Sequence, residues 1–160
     1  MKVVHIITGL GDGGAEHTLF KICKYDISNK HIVISLTDSG KYFLLLKKLG
    51  IKVYCLNANY FSIYKFFYFI KLLHSLKPDI VQSWLVHADF IGGIAARLAG
   101  IKNIIWNVRY SNIEIGKAKL TTILIIKILA KLSFLIPKFI IIVSKKAKKI
   151  YEVIGYDKKK

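Results

Sequence analysis

The sequence is short of cysteine, and this excludes a disulfide framework. Cys23 and Cys55 lie far apart in apolar runs, with no metal-ligand spacing around either. This pattern predicts two buried free thiols in a reducing cytoplasm. Cys23 and His17 would have to recruit distant partners to hold an ion, so the sequence predicts no metal site.

Arginine and acidic residues are also scarce. All but Arg97 and Arg109 of the 26 basic residues are lysines. A protein that recognises base sequence normally uses arginine for bidentate contacts, so we expect no specific nucleic-acid partner. With only nine acidic residues the formal net charge is +17. Such a field attracts anionic lipid or a phosphorylated acceptor.

No apolar run is long enough to span a membrane, which takes about 20 residues. The most apolar stretch, from Leu120 to Ile136, is interrupted by Lys127 and Lys131. The first apolar run stops before Gly9, too early for a signal peptide. Repeats and low-complexity linkers are absent as well. The 160 residues, 54% of them hydrophobic, therefore predict one packed domain in the cytoplasm.

Short β-branched runs alternate along the chain with longer segments of helical periodicity. The predicted strands are Val3–Thr8, His31–Leu36, Ile51–Leu56, Ile80–Ser83, Asn103–Val108 and Phe139–Val143. The predicted helices are Glu16–Tyr25, Lys41–Leu49, Ser62–Leu76, His87–Ala99 and Lys119–Leu135. This order predicts an α/β fold, a Rossmann-like doubly wound parallel sheet. Ligands of such sheets bind beyond the carboxyl ends of the strands, so the turns after strands one, four and five are the candidate site.

The turn after strand one contains a G-x-G-x-x-G pattern at Gly9, Gly11 and Gly14. Glycines let backbone amides approach an anion at a helix N-terminus. Asp38, at the end of strand two, is placed to bind a ribose. One hypothesis is therefore a nicotinamide-dinucleotide-binding domain, and another is a tight turn that binds nothing.

Three segments carry a resemblance to a different family. They are Gly13–Glu16, which reads G-G-A-E and is followed by Leu19, then Pro78–Asp89, and then Ile105–Asn112. In this order they resemble the family 4 (group 1) glycosyltransferases of GT-B fold. The resemblance implies transfer of a sugar from a nucleotide-sugar donor to a lipid-linked or surface-polysaccharide acceptor. It also implies retention of anomeric configuration and no cofactor.

The same resemblance assigns roles to individual residues. Gly13 and Gly14 would meet the donor diphosphate through their amides. The acceptor-side residues would be Glu16, His17, His87, Arg109, Tyr110 and Asn112, among which Arg109, Tyr110 and His87 are the catalytic candidates. Tyr110 stands where family members commonly have a histidine. Purely structural alternatives are helix capping for His87 and an ion pair with Asp12 or Asp89 for Arg109.

The resemblance covers the first half of a complete family member. The second, donor-binding domain normally supplies two glutamates with seven residues between them, and Glu16, Glu114 and Glu152 do not form such a pair. We therefore expect residues 1–160 to be one acceptor-side domain without its C-terminal, donor-binding partner. Such a chain is expected to be inactive or nearly so by itself.

Two segments, Lys117–Leu132 and Ser62–Lys77, combine lysines with apolar and aromatic residues. They predict peripheral attachment to the inner face of the cell membrane, or helices that cover the sheet and show lysines at their edges. The remaining alternative for the whole chain is a noncatalytic membrane- or partner-binding module.

Overall fold

The computed structural model describes residues 1–57, 62–109 and 120–160. The strands are β1 (Lys2–Ile7), β2 (Lys30–Ser35), β3 (Lys52–Cys55), β4 (Ile80–Trp84), β5 (Ile104–Val108) and β6 (Phe139–Ile142). The helices are α1 (Gly14–Tyr25), α2 (Lys41–Lys48), α3 (Ile63–Leu76), α4 (Val86–Leu98), α5 (Leu120–Leu132) and α6 (Lys145–Ile154). The predicted α/β fold is confirmed. The predicted last long helix ends at Leu132 rather than Leu135, because the chain must turn before Pro137.

All six strands pair in parallel, in the order β3-β2-β1-β4-β5-β6. Strands β2 and β3 are added in turn on one side of β1. Strands β4, β5 and β6 are added in turn on its other side. The strand order therefore reverses between β1 and β4, and this switch point opens a crevice at the carboxyl ends of the strands.

The helices cover both faces of the sheet. On one face, α3, α4 and α5 pack over Val4 and Ile6 of β1. On the other, α1 and α2 pack over Ile7, Val33 and Trp84. Strands covered on both sides carry nearly continuous apolar runs, which is why they could be recognised from the sequence.

Glycines allow two features of this packing. Gly50 and Gly100 have φ of +75° and +84° just after α2 and α4, as expected of helix C-terminal caps. Gly92 lets α4 approach the sheet closely, because a Cβ atom there would lie 2.9 Å from Ile6 Cγ2. None of the described helices is both long and apolar enough to cross a bilayer.

Candidate functional site

A cleft of about 620 Å³ opens at the carboxyl edge of the sheet. Its wall comes from the start of α1 and from single residues that follow β4, β5 and β6. The lining residues are Gly13, Gly14, Ala15, Glu16, His17, Thr18, Leu85, Arg109 and Val143. Five residues that the sequence assigned to the site (Gly13, Gly14, Glu16, His17 and Arg109) are therefore brought together.

One side of the cleft is the N-terminus of α1. Its N-cap residue is Gly13, whose extended backbone offers no side chain to cap the first-turn amides. These N–H groups carry the positive end of the helix dipole and form a ready site for an anion. The carboxylate of Glu16 folds back beside Gly13, so close that a Cβ atom at Gly13 would lie 2.5 Å from Glu16 Oε2. The cleft thus pairs a cationic wall with one acidic side chain.

Arg109 faces this helix terminus from the end of β5, and neutral groups hold its guanidinium. Arg109 Nε donates to Asn107 Oδ1 at 3.2 Å, and Nη1 donates to Thr18 Oγ1 at 2.9 Å. The guanidinium carbon lies 5.0 Å from the centre of the Trp84 ring. Burial lowers the pKa of Arg109 from its usual value, but an arginine remains charged at any physiological pH.

The ion-pair alternative for Arg109 is wrong for both candidate partners. Asp12 pairs with Lys41 at 2.8 Å, and Asp89 accepts a hydrogen bond from Ser83 Oγ at 2.6 Å. Within the described part of the chain, no carboxylate pairs with Arg109. Its positive charge is therefore available to a ligand in the cleft.

Leu85, which lines the cleft, has a strained backbone conformation. Leu85 links β4 to α4 with φ of +74° and ψ of 156°, a region that favours glycine. Such a conformation costs about 1–3 kcal/mol and persists where the surroundings impose it. Here it lets the chain turn directly from Trp84 into α4 and brings Leu85 into the cleft wall.

The two predicted site histidines differ in position. His17 is exposed, and its Nδ1 lies 3.0 Å from the hydroxyl of Tyr42. His87 is exposed in the first turn of α4, two residues beyond Leu85, and is not among the residues that line the cleft. Tyr110 and Asn112 lie outside the described residues.

Asp38, the ribose-binding candidate of the dinucleotide hypothesis, is hydrogen-bonded to its own loop and to the glycine turn after β1. Asp38 Oδ1 accepts hydrogen bonds from Leu10 N at 2.9 Å and from Gly40 N at 3.3 Å. Gly9 packs against this carboxylate, which would lie 3.1 Å from a Cβ atom there. The first glycine of the pattern is thus explained by loop packing, and the carboxylate that would bind the ribose is already hydrogen-bonded to backbone amides. Both features weigh against the dinucleotide hypothesis.

Sequence reasoning missed a buried group of His5, Cys23 and His31, whose donor atoms all lie within 4.8 Å of one another. Cys23 is buried as predicted, whereas Cys55 is only partly buried. Cys23 meets two histidines from neighbouring strands rather than His17. These residue types could bind a transition metal.

The hydrogen bonds of this group nevertheless form a continuous chain without an ion. Trp84 Nε1–H donates to His5 Nδ1 at 3.3 Å, which assigns the His5 proton to Nε2. His5 Nε2 then donates to His31 Nδ1 at 3.0 Å, and His31 Nε2 donates to the Asp26 carbonyl at 3.1 Å. A metal on His5 Nε2 would place a proton on Nδ1, opposite the Trp84 donor. Burial lowers the pKa of His5 to about 3, so the ring is neutral. The only sequence signal was a histidine inside each of two apolar strands.

Asp89 is a second buried polar group that the sequence did not predict. It lies under the carboxyl ends of β4 and β5, and burial raises the pKa of its carboxyl to about 7. Its Oδ1 accepts from Ser83, while Oδ2 has no partner among the described residues. This carboxyl is buried behind the site and does not line the cleft.

No protein-family model matches the chain, and no curated protein matches its sequence. Solved structures do match. HepE (Alr3699) of Anabaena, crystallised with UDP and glucose, has a TM-score of 0.78 at 18% identity over 99% of this chain and 42% of that one. WaaB, a lipopolysaccharide outer core galactosyltransferase, has a TM-score of 0.68 at 16% identity over 98% of this chain and 43% of that one. MurG of Acinetobacter baumannii has a TM-score of 0.60 at 21% identity over 88% and 40%.

These neighbours are GT-B glycosyltransferases, and the fold of this chain is that of their N-terminal, Rossmann-like domain. At such identities the likeness establishes the fold. The chain spans less than half the length of the structures that it matches.

Proposed function

We propose that residues 1–160 form the acceptor-side domain of a glycosyltransferase that uses a nucleotide-sugar donor. The observation that carries the proposal is that Arg109, which no described carboxylate neutralises, and the uncapped N-terminus of α1 line the same cleft. Two positive groups in one cleft suit a diphosphate. HepE, part of which has the same fold as this chain, was crystallised with UDP and with UDP-glucose, and this supports the choice of ligand.

In the proposed reaction the amides of Gly13 and Gly14 meet the diphosphate, and Arg109 stabilises the charge that develops on it as the glycosidic bond breaks. The acceptor approaches past Glu16 and His17, with His87, Tyr110 and Asn112 as further acceptor-side candidates. Retention needs no strong protein base, because the leaving phosphate oxygen can take the proton of the acceptor hydroxyl. The G-G-A-E segment supports family 4 membership and retention. Retention is tested by NMR, from the anomeric coupling constant of the product that the proposed two-domain enzyme forms.

A second, donor-binding domain completes this site in the proposal. A lone acceptor-side domain holds the diphosphate from one side only and cannot orient donor against acceptor. Purified residues 1–160 should therefore bind a nucleoside diphosphate weakly and transfer no sugar. Sugar transfer by the purified chain would refute this part.

Calorimetric titration of the chain with UDP at millimolar concentration tests the proposal. Charge-assisted hydrogen bonds contribute about 1.5–3 kcal/mol, so Arg109→Gln should weaken UDP binding roughly tenfold or more. Lys48→Gln is the matched control, because it removes one positive charge from an exposed position in the last turn of α2. Equal loss in both variants would reduce the effect to net charge. Tighter binding of NAD than of UDP would favour the dinucleotide hypothesis instead.

We also propose that the acceptor is membrane-linked and that the layer of α3, α4 and α5 rests on an anionic bilayer. Together these helices contain one carboxylate, Asp89, which is buried. Their outer surface combines lysines with large apolar side chains. The exposed apolar residues of α3 and α5 are Ile63, Tyr64, Phe67, Tyr68, Leu120, Leu124 and Ile128. Aromatic and apolar groups beside lysines, without acidic groups, suit an interface with anionic headgroups.

Co-sedimentation with phosphatidylglycerol vesicles at low salt tests the membrane proposal, with phosphatidylcholine vesicles as the uncharged comparison. A chain with Tyr64→Ser and Phe67→Ser should bind anionic vesicles less by roughly a hundredfold or more, because each of the two buried aromatics contributes about 1.5–3 kcal/mol. The control carries Tyr25→Ser and Leu44→Ser, which are exposed on the α1 and α2 side. Equal binding of both variants, or no binding of the wild type, would refute the proposed face.

A further inference from the structure

The guanidinium of Arg109 rests on the ring of Trp84, and Trp84 is itself anchored from behind. Trp84 is completely buried at the last position of β4. Its indole N–H points away from the cleft, into the apolar face under α1 and α2, where His5 Nδ1 accepts it at 3.3 Å. The ring therefore has a hydrogen-bonded edge inside the protein and a face toward Arg109.

From this geometry we infer that His5 is a positioning residue for the cleft. It sets the orientation of the Trp84 ring, and that ring sets the position of the Arg109 guanidinium. The inference rests on the proposed function in one respect, since it takes Arg109 to be the group that binds the diphosphate. His5 itself does not contact the cleft.

The chain of hydrogen bonds determines which nitrogen of His5 donates and which one accepts. Asp26 accepts from His31 Nε2, and this leaves His31 Nδ1 as an acceptor for His5 Nε2–H at 3.0 Å. The Nδ1 atom of His5 then has a lone pair and must accept, so it is matched to the indole donor. Asp26 and His31 thus fix the tautomer of His5, and His5 fixes Trp84.

Arg109 needs this support because its other hydrogen bonds with described residues are two single ones to neutral side chains, those of Asn107 and Thr18. A flexible side chain held in this way has several rotamers of similar energy. The ring face of Trp84, 5.0 Å from the guanidinium carbon, selects one of them through the cation–π interaction. Rotation of the indole would remove that face and leave a buried donor without an acceptor.

The surroundings argue against a purely space-filling role for His5. Its neighbours on β1, Val4 and Ile6, are aliphatic and fully buried, as is Val33 opposite it on β2. An aliphatic side chain would fill the same position without the desolvation that lowers the pKa of a buried imidazole. Only an acceptor at that position satisfies the indole.

The test compares three variants at core positions of the same face. His5→Leu removes the acceptor, His5→Asn keeps an amide oxygen near the position of Nδ1, and Val33→Ala removes packing without affecting the indole. The probe is inorganic pyrophosphate, with the dissociation constant measured by calorimetry. We expect His5→Leu to weaken binding about threefold to tenfold, the range that a cation–π contact supplies. His5→Asn and Val33→Ala should remain within about twofold of the wild type.

A second comparison distinguishes transmission through Trp84 from a general loss of order. In a Trp84→Phe background the indole donor is gone, so adding His5→Leu should change pyrophosphate affinity no further. The Trp84 Nε1–H and Arg109 Nε–H resonances in ¹H–¹⁵N spectra give a readout without ligand, and both should move in His5→Leu and not in Val33→Ala. Unchanged resonances, equal losses in His5→Leu and Val33→Ala, or a full effect of His5→Leu in the Trp84→Phe background would overturn the inference. If the wild type binds no pyrophosphate, the proposed function fails, while the two resonances still decide the role of His5.

Discussion

Two buried titratable groups should give this protein an unusual dependence of stability on pH. His5 is buried with its pKa lowered to about 3, and Asp89 is buried with its pKa raised to about 7. In the unfolded chain the same groups titrate near pH 6.5 and pH 3.9. Folding therefore changes proton binding at the two sites with opposite sign, across pH ranges that overlap.

Between pH 3 and pH 6.5 the unfolded chain holds a proton on His5 that the folded chain does not. The free energy of unfolding then rises with pH by about 1.4 kcal/mol per unit. Between pH 4 and pH 7 the folded chain holds a proton on Asp89 that the unfolded chain has lost. That lowers the free energy of unfolding by about 1.4 kcal/mol per unit as pH rises. In the range shared by both windows, from about pH 4 to 6.5, the two contributions cancel.

Single substitutions should separate the two contributions to the pH dependence of the free energy of unfolding. Asp89→Asn keeps a partner for Ser83 but no longer titrates, so stability should rise by about 2 kcal/mol from pH 4.5 to 6. His5→Asn keeps an acceptor for Trp84 and should instead lose about 2 kcal/mol over the same interval. The wild type should change by less than either. Urea unfolding at several pH values, followed by the fluorescence of buried Trp84 and Trp106, measures these free energies.

The reasoning is refuted if the pH profile of Asp89→Asn runs parallel to that of the wild type. It is also refuted if both variants slope in the same direction. Asp26, whose pKa is lowered chiefly by its hydrogen bond from Asn29, contributes a stability that is lost as pH falls below 4. Measurements from pH 4.5 upward avoid that contribution.

Two further predictions concern the thiols and the glycine loop. Burial raises the pKa of Cys23 to about 12 and raises that of the half-buried Cys55 less, so iodoacetamide at pH 8 should label Cys55 first, and Cys23 only after unfolding. Peptide mass spectrometry reads the sites, and early labelling of Cys23 would contradict its burial. Gly40→Ala should destabilise the fold by about 1–3 kcal/mol, because the new Cβ atom would lie 2.6 Å from the Leu10 carbonyl oxygen. Gly14→Ala, where nothing lies within 4 Å, is the control and should leave the urea midpoint nearly unchanged; equal losses in the two variants would count against the described loop packing.

The sequence predicted the fold because strands covered on both faces leave a strong pattern. Near-continuous apolar runs such as Val3–Thr8, with Gly50 and Gly100 after helices, locate the elements closely. The candidate cleft was also predictable in part, since turns at the carboxyl ends of parallel strands must meet. Gly13, Glu16 and Arg109 were brought together for that reason.

The buried contacts behind the cleft and the backbone of its wall could not be predicted in the same way. The contact of His5 with Trp84 depends on the pairing of β1 with β4, and that of His5 with His31 on the register of β1 against β2. Leu85 adopts a positive φ although its residue type gives no sign of it. Such features follow from tertiary packing, which overrides local preference.

The most direct test of the central claim is where a nucleoside diphosphate binds to this chain. In ¹H–¹⁵N spectra of the labelled protein, UDP should shift the amides of Gly13 and Gly14 together with the Arg109 Nε–H resonance. These groups belong to two different elements that line the cleft, so a ligand seated in the cleft should move both sets. Shifts confined to Gly9 and its surroundings, or no shifts at saturating UDP, would contradict the assignment of this cleft to a sugar-nucleotide diphosphate.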